Sequence, residues 1–484
     1  MARPAHNLEA YETTKMVKTN RLVVLIAIVT LMFIISPFQP LYGSDAPTAL
    51  ERRIELDKLA DIDERAVEIP AITLSSRIDF RYGGWFRSLY YDYTDYEDSS
   101  NAALNLDLRL WSQLQIDETH TFYVRPQINY LKSVTGDSFG EDVQFKDLRL
   151  NVGFYDMDVA RFLDNTLGFD RLQRLHFTAG RKFFSIGSGL LFARRADGIE
   201  MRGKQGDFEY LLFAADTVSS DDDEDQSRPD NGNSERRFYG TQISFTHCSA
   251  FQPYVILFRQ RDHNDRHPTF GGQAYVYNSD YVGIGFNAFI GSRLKATAEW
   301  ISESGRSSSE GFRRGTESID ASALVVKLEA PVGKKHDMRL FCQYLFGSGD
   351  SDRFDPTNTI GGNVPGTPDH SFQAFGFVDT GWAMSPTLSN LHVFQLGAAA
   401  KPIDNLEIGA AVYSFHKEHA EAGVSDPGAS EDSHNVGQEL DVFANWAVFS
   451  DLTVSAVLGH FWDGSAMTHG HNRPFVQVSV TYAF

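Results

Sequence analysis

Residues 101–117, with the sequence NAALNLDLRLWSQLQID, alternate between apolar and polar side chains. One parity carries Leu104, Leu106, Leu108, Leu110, Leu114 and Ile116, and the other carries Asn105, Asp107, Arg109, Gln113 and Gln115. A period of two predicts a β-strand with one apolar face and one hydrated face. A soluble β-sandwich and a membrane β-barrel both produce this pattern. The direction of the apolar face therefore has to be inferred from the rest of the chain.

The composition favours a β-rich exported protein. The 484 residues include 37 Phe and 19 Tyr, carry a net charge of −20 and have a mean hydropathy of −0.29. A membrane barrel is compatible with this hydropathy, because half of its strand residues face water. The acidic charge and the lack of a basic domain argue against nucleic acid as a partner. No change in composition separates further domains after about residue 77.

The N-terminal region predicts export. Lys15, Lys18 and Arg21 precede an apolar run from Leu22 to Ser36, and small residues follow at 43–46. We interpret residues 1–46 as a signal peptide with cleavage around 43–46, the alternative being a retained inner-membrane anchor. Residues 47–76 are charged and mixed, which predicts a periplasmic lead-in segment with some helix.

From residue 77 to 484 the chain predicts an all-β transmembrane antiparallel barrel of about 18 strands. The expected strands lie near 77–93, 101–117, 121–134, 144–154, 175–184, 198–205, 208–218, 238–247, 251–261, 281–291, 294–302, 318–329, 337–347, 391–401, 405–418, 436–448, 452–462 and 474–484.

The links between these strands alternate in length. Short turns such as 206–207 and 291–293 alternate with long polar links such as 219–237 and 347–390. Short periplasmic turns and long extracellular loops are the pattern of outer-membrane barrels. The exception is 155–174, where we expect one or two helical turns on the periplasmic side.

The chain ends in a strand and an aromatic residue. Residues 474–484, PFVQVSVTYAF, alternate in polarity and end at Phe484. Such an ending resembles the strand by which the barrel-assembly machinery recognises outer-membrane proteins. We therefore expect the chain to lie in the bacterial outer membrane, in contact with lipid and lipopolysaccharide.

If the apolar parity faces lipid, the other parity places both arginines and carboxylates in the lumen. Arg–carboxylate ion pairs could stabilise the barrel wall, or the arginines could form a track for an anionic solute. The candidate pore-lining residues are Arg81, Arg109, Arg125, Arg149, Arg181, Arg194, Arg195, Arg202, Arg259 and Arg339.

The sequence contains no recognisable signature of a catalytic, metal or cofactor site. We interpret the acidic run 221–225 as solvated charge, and 361–366 (GGNVPG) as a flexible loop with inward folding left open. Cys248 and Cys342 are predicted to be free thiols.

The segment 176–205 resembles the alginate-export family of outer-membrane porins. The matching residues are Gly180-Arg181-Lys182, with Lys where Gln is usual, Ile186-Gly187-Ser188-Gly189, and Asp197-Gly198-Ile199-Glu200-Met201-Arg202. The resemblance implies an eighteen-stranded monomer that passes polyuronate through an arginine-rich lumen, with Arg181 and Arg202 lining it.

These observations predict a passive channel without enzymatic activity. The first hypothesis is passage of an anionic solute, an acidic polysaccharide such as alginate or a related polyuronate, or small anions. The alternatives are a general or small-substrate porin with paired lumen charges, and a plugged barrel with a structural or enzymatic role.

Overall fold

The computed structural model describes residues 72–75, 77–96, 98–136, 143–168, 171–218, 236–263, 276–291, 293–308, 316–333, 336–353, 363–468 and 472–484, with backbone alone at 72–75 and 143–147. All of them belong to the unit Ser44–Phe484. The predicted signal peptide (1–46), most of the lead-in (47–76) and the acidic run (221–225) lie outside these residues. The signal peptide and the lead-in stay predictions.

Nineteen strands and one helix form within the described residues. They are β1 (Ile72–Ser75), β2 (Ile78–Thr94), β3 (Ser100–Ile116), β4 (His120–Thr135), β5 (Val143–Asp158), α1 (Val159–Leu167), β6 (Arg174–Ile186), β7 (Phe192–Gln205), β8 (Phe208–Asp216), β9 (Arg236–Phe245), β10 (Phe251–Asp262), β11 (Tyr277–Ile290), β12 (Leu294–Ser308), β13 (Thr316–Pro331), β14 (Arg339–Gly347), β15 (Leu391–Ile403), β16 (Leu406–Lys417), β17 (Asn435–Ala447), β18 (Leu452–Asp463) and β19 (Asn472–Ala483).

Strands β2 to β19 form a closed antiparallel barrel of eighteen strands, as predicted. Each strand pairs with the next one along the chain, from β2–β3 to β18–β19. The last strand returns to the first, with Thr481 opposite Arg87. Each barrel strand is thus hydrogen-bonded to a neighbour on both sides, as a β-structure in hydrocarbon requires, although β5 and β6 pair over Gly153–Asp158 and His176–Arg181 alone within the described residues. The short strand β1 adds a hairpin with β2, at the end of the segment predicted as lead-in.

The two faces of the wall differ as the period of two predicts. On β3, Asn105, Asp107 and Arg109 are buried on the inward face. The neighbouring leucines turn outward, and Leu110 is exposed. Exposed apolar side chains recur on the outward face of later strands, among them Leu212, Ile243, Leu257, Ile284, Trp300, Leu396, Val442 and Val478. A lipid-facing apolar belt explains this exposure.

The helix α1 lies in the link that the sequence marked as an exception. Its N-cap is Asp158, whose side chain accepts a hydrogen bond from the backbone N–H of Arg161. Its C-cap is Gly168 in the left-handed conformation. Among the described residues, no helix combines the length and the apolar character needed to cross a bilayer.

One link is shorter than predicted. We expected a loop over 185–197, whereas β6 continues to Ile186 and β7 already begins at Phe192. Arg194 and Arg195 are therefore strand residues. Both cysteines are free thiols as predicted, with Cys248 exposed and Cys342 half-buried.

Candidate functional site

Four arginines on neighbouring strands turn their side chains to the inside of the barrel. They are Arg87 on β2, Arg109 on β3, Arg125 on β4 and Arg149 on β5, and we call them the arginine wall. The strand register fixes this arrangement, because Arg109 stands opposite Gln127, and Gln127 stands opposite Arg149. Arg87 lies in the next inward row, opposite Asp107.

A hydrogen-bond network orients two of these guanidinium groups. Arg109 Nε donates to Asp107 Oδ2 at 2.8 Å, and Arg125 Nε donates to Asn151 Oδ1 at 2.9 Å. The other Asp107 oxygen accepts a bond from Gln127 Nε2 at 2.7 Å. Asp107 thus contacts Arg109 as an ion pair. Asn151 lies at a bulge in the β4–β5 register, which directs its amide inward.

Aromatic side chains accompany the wall. The Trp85 ring lies under both guanidinium groups, 5.8 Å from Arg109 Cζ and 5.3 Å from Arg125 Cζ. Nearer the short-turn rim, three inward rings form what we call the aromatic ledge: Trp111, Tyr123 and Phe154. Their centroids are 6.2 Å and 5.3 Å apart, and neighbouring planes differ by 17° and 22°.

Two inward-folded segments, residues 187–191 and 371–390, occupy part of the lumen, and we call them the partition. Phe375 N–H donates to the Leu191 carbonyl at 3.1 Å, and Phe377 N–H donates to the Gly189 carbonyl at 2.9 Å. The two backbones touch at Gly376, where an added Cβ would lie 1.9 Å from the Gly189 carbonyl oxygen. The long loop thus folds into the barrel, which the sequence had left open.

Carboxylates on other barrel strands hold the partition in place. Glu299 accepts bonds from the backbone N–H of Ser188 at 2.8 Å and from its hydroxyl at 2.6 Å. Glu439 accepts backbone N–H bonds from Trp382, from Ala383 at 2.7 Å and from Met384 at 2.9 Å. Bonds to ionised acceptors are stronger than neutral ones. These acids therefore serve as anchors for a loop.

Further acids continue this pattern. Glu303 accepts a bond from the backbone N–H of Gln373 at 3.0 Å. Asp379, which lies in the loop itself, accepts bonds from Tyr413 and Gln395 on the barrel wall, both at 2.9 Å.

Apolar packing supplies the rest of the partition's support. Phe375 contacts the Phe238 ring at a centroid distance of 5.3 Å, and Phe372 contacts Tyr281 at 6.3 Å. The surrounding cluster is fully buried and includes Phe184, Phe192, Phe213, Phe258, Ile301, Val325, Leu345 and Leu391. Burial of so many rings stabilises the folded-in loop against an open position.

The root of the long loop lies outside the membrane-spanning strands. There, Arg353 Nη1 donates to Asp369 Oδ1 at 3.0 Å in a buried ion pair. Burial raises the pKa of the neighbouring Asp352, and the Asp350 carboxylate raises it further. This pair fixes the point from which residues 371–390 turn inward.

The structure separates the predicted lining residues into two groups. Arg109, Arg125, Arg149, Arg194, Arg202, Arg339 and, at the exposed short-turn end, Arg81 are on the inward face. Arg181, Arg195 and Arg259 are on the outward face.

The outward positions follow from the register and correct the prediction. Arg181 stands opposite Asp197, on the same parity as the exposed Ile199. It forms a two-bond ion pair with Asp197 at 2.7 and 2.8 Å. Arg259 shares its parity with the exposed Val255 and Leu257. Expecting these arginines in the lumen was therefore wrong.

Several inward charges are paired, as the alternative hypothesis expected. Lys182 Nζ donates to Glu200 Oε1 at 2.8 Å, and Arg339 Nη2 donates to Glu407 Oε1 at 2.6 Å. Arg202 Nε lies 3.5 Å from the same Glu200 oxygen. The lumen thus contains both paired charges and the arginine wall.

Sequence reasoning missed the roles of Trp85, the aromatic ledge and the partition anchors. Period two places Trp85, Trp111 and Tyr123 inward, so parity alone could have found them. No alternation along a single strand indicates the partition, because the residues that anchor it lie on many different strands. Among the described residues, no group of three or more His, Cys, Asp or Glu side chains is arranged to hold a metal ion.

The family model for alginate export matches residues 98–479, which include the arginines of β3, β4 and β5 and the partition. The chain belongs to the alginate-export family. No curated protein matches it in sequence.

Solved porins of Pseudomonas aeruginosa share the fold of this family member. OccK8 (OprE) is 11% identical with a TM-score of 0.53, and OccK5 (OpdH) is 13% identical with a TM-score of 0.51. Both comparisons cover 84% of this chain and 98% of the other chain. A structure of OpdK with vanillate is 12% identical, with a TM-score of 0.51 and the same coverage. The protein is therefore a channel of the bacterial outer membrane and lies in its lipid bilayer.

Proposed function

We propose that this channel passes an anionic solute along the arginine wall, an acidic polysaccharide such as alginate or a related polyuronate being the first candidate. The observation that carries the proposal is the separation of charge inside the barrel. Glu299, Glu303 and Glu439 accept hydrogen bonds from the partition. The arginines of β2 to β5 are on four neighbouring strands that carry none of these three acids. Guanidinium groups are therefore concentrated on one side of the lumen.

The chemistry of the wall suits carboxylates on rings. Guanidinium groups bind carboxylates through two parallel hydrogen bonds. The aromatic ledge offers a flat apolar surface beside them, on which a sugar or aromatic ring can pack. On β3 and β4, inward residues two apart are about 7 Å apart along the strand. Successive acidic rings of a chain could therefore contact the ledge and then the wall.

Reversal potentials in planar bilayers test this proposal. The full-length protein should prefer chloride over potassium, and the double variant R109Q/R125Q should lose most of that preference. The matched control is R202Q/R339Q, which removes two inward arginines that lie beside Glu200 and Glu407. The control should change selectivity less, because Arg202 on β7 and Arg339 on β14 lie outside the arginine wall. Equal losses in both variants, or a wild-type channel that prefers cations, would refute an arginine track.

A second candidate is a pore for small ring-bearing carboxylates. The partition favours it, because residues 371–390 cross the lumen and narrow the passage for a polymer. Current block by uronate oligomers of increasing length separates the two candidates. Block that strengthens with length supports a polymer, whereas passage of a monouronate or vanillate without oligomer block supports the small solute.

We also propose that β19 is the strand recognised by the barrel-assembly machinery. The residue after it joins the barrel closure, since Phe484 and Gly84 exchange backbone hydrogen bonds of 2.8 and 2.9 Å. The Phe484 ring turns outward and is exposed, next to Tyr482 at 6.0 Å. Deletion of Phe484 should reduce the amount of folded barrel in the outer membrane, measured by heat-modifiable migration.

A further inference from the structure

Three arginines on the outer wall, near the long-loop rim, form a patch that the channel function does not use. They are Arg237 on β9 with Arg259 and Arg261 on β10, and we call them the outer patch. Arg237 stands directly opposite Arg261 across the β9–β10 pair. Like charges placed opposite each other on one face of a sheet destabilise the pairing. An anion bound between the two guanidinium groups would offset their repulsion.

The height of the outer patch matches the lipid headgroups. Along β10, the outward residues Phe251, Val255 and Leu257 are exposed and apolar, and Arg259 and Arg261 follow. On a strand tilted by about 40°, the eight residue steps from Phe251 to Arg259 rise about 20 Å and the ten steps to Arg261 rise about 25 Å. This rise is close to the roughly 25 Å height of the apolar band of outer-membrane barrels. The arginines therefore begin where the hydrocarbon ends.

Carboxylates form hydrogen bonds with the outer patch but leave some of its guanidinium N–H donors available. Arg259 Nε donates to Asp280 Oδ1 at 2.6 Å, and Arg261 Nη2 donates to Asp280 Oδ2 at 2.9 Å. Arg237 Nε lies 3.2 Å from Asp216. Within the described part of the chain, the Nη groups of Arg237 and Arg259 donate no hydrogen bond. More than half of each side chain is exposed.

We propose that the outer patch binds the phosphate groups of lipopolysaccharide in the outer leaflet. The long loops lie on the extracellular side in outer-membrane barrels, so this rim faces the leaflet that contains that glycolipid. Its phosphates lie at the boundary between hydrocarbon and water, at the height of Arg259. Arginine forks match phosphate geometry through paired hydrogen bonds. The channel function and this lipid site use opposite faces of the wall.

Native mass spectrometry of the full-length barrel with purified lipid A tests the site. The wild type should retain diphosphorylated lipid A in preference to the dephosphorylated form. In R237Q/R259Q we expect retention of the phosphorylated form to fall by about fivefold or more, because both exposed forks are lost. The variant R237K/R259K keeps the charge without the fork geometry and should fall between the two.

The matched control is R171Q/R293Q, which removes two exposed arginines near the short-turn rim. It should retain lipid A as the wild type does. Equal retention by R237Q/R259Q and the wild type would overturn the proposal, as would an equal loss in the control. If R237Q/R259Q does not fold, the wild-type comparison of the two lipid A forms decides. Ion selectivity should be unchanged in R237Q/R259Q, so this test is independent of the solute.

Discussion

The wall formed by β2–β5 and the wall that contacts the partition follow the same alternation of residues but differ in what faces inward. On β3 and β4 the inward side chains include the buried polar and charged groups of Asp107, Arg109 and Gln127. On β9 and β10 they include the buried rings of Phe238 and Phe258, which belong to the core beneath the partition. The first wall is arranged for a charged solute, and the second is arranged for a loop. The difference shows that a barrel interior can hold a packed core and a polar surface side by side.

The largest effect on the channel should come from forcing apart the two segments of the partition. Gly376→Ala places a methyl group within 1.9 Å of the Gly189 carbonyl oxygen, so the backbones must move apart. Overpacking of this kind costs about 1–3 kcal/mol. We expect a larger and noisier single-channel conductance in bilayer recordings. The arginine wall should be unaffected, so the ratio of chloride to potassium permeability should equal that of the wild type.

The control for this change is Gly366→Asn in the same loop. A Cβ there meets no atom within 4 Å, so no neighbour is displaced, and Asn adopts positive φ, here 93°, at a lower cost than other side chains. Its conductance should equal that of the wild type. A Gly376→Ala channel with wild-type conductance and noise would show that the partition does not limit the current.

A smaller effect should follow removal of the aromatic ledge. In W111A/Y123A we expect block by a monouronate or vanillate to weaken by roughly fivefold, since aromatic contacts are worth about 0.5–1.5 kcal/mol beyond the area they bury. Block by a linear organic acid of equal charge should change little, because the arginine wall is intact. The control is Phe289→Ala, an exposed inward ring near the same rim on β11. Equal weakening for linear and cyclic acids would show that the ledge does not contact rings.

The smallest effect should come from Arg181, whose outward position corrects the sequence interpretation. Arg181→Gln removes a positive charge that faces away from the lumen and pairs with Asp197. Reversal potentials should therefore match those of the wild type, with a loss of about 1 kcal/mol or less in stability for a partly exposed pair. Arg125→Gln, which removes the same charge from the inward face, serves as the comparison. A clear loss of anion preference in Arg181→Gln would contradict the register.

The sequence by itself determined the number and order of the strands. Eighteen segments were predicted, and each corresponds to one strand of the barrel. Backbone groups in hydrocarbon must pair internally, so alternating segments joined by turns have few other solutions. The inward position of Arg109 and Arg125 followed equally well, because the aliphatic residues beside them on β3 and β4 lie on the other parity.

Only the tertiary structure decided which face of the other strands turns inward and what fills the lumen. On β10, Tyr254, Ile256 and Phe258 are apolar on one parity, and Val255 and Leu257 are apolar on the other. The alternation therefore does not indicate which face of β10 turns inward. For this reason Arg259 was assigned to the wrong face. One face of β10 contacts lipid and the other packs into the core that supports the partition. That core forms from residues far apart in the chain, which a local pattern of period two does not encode.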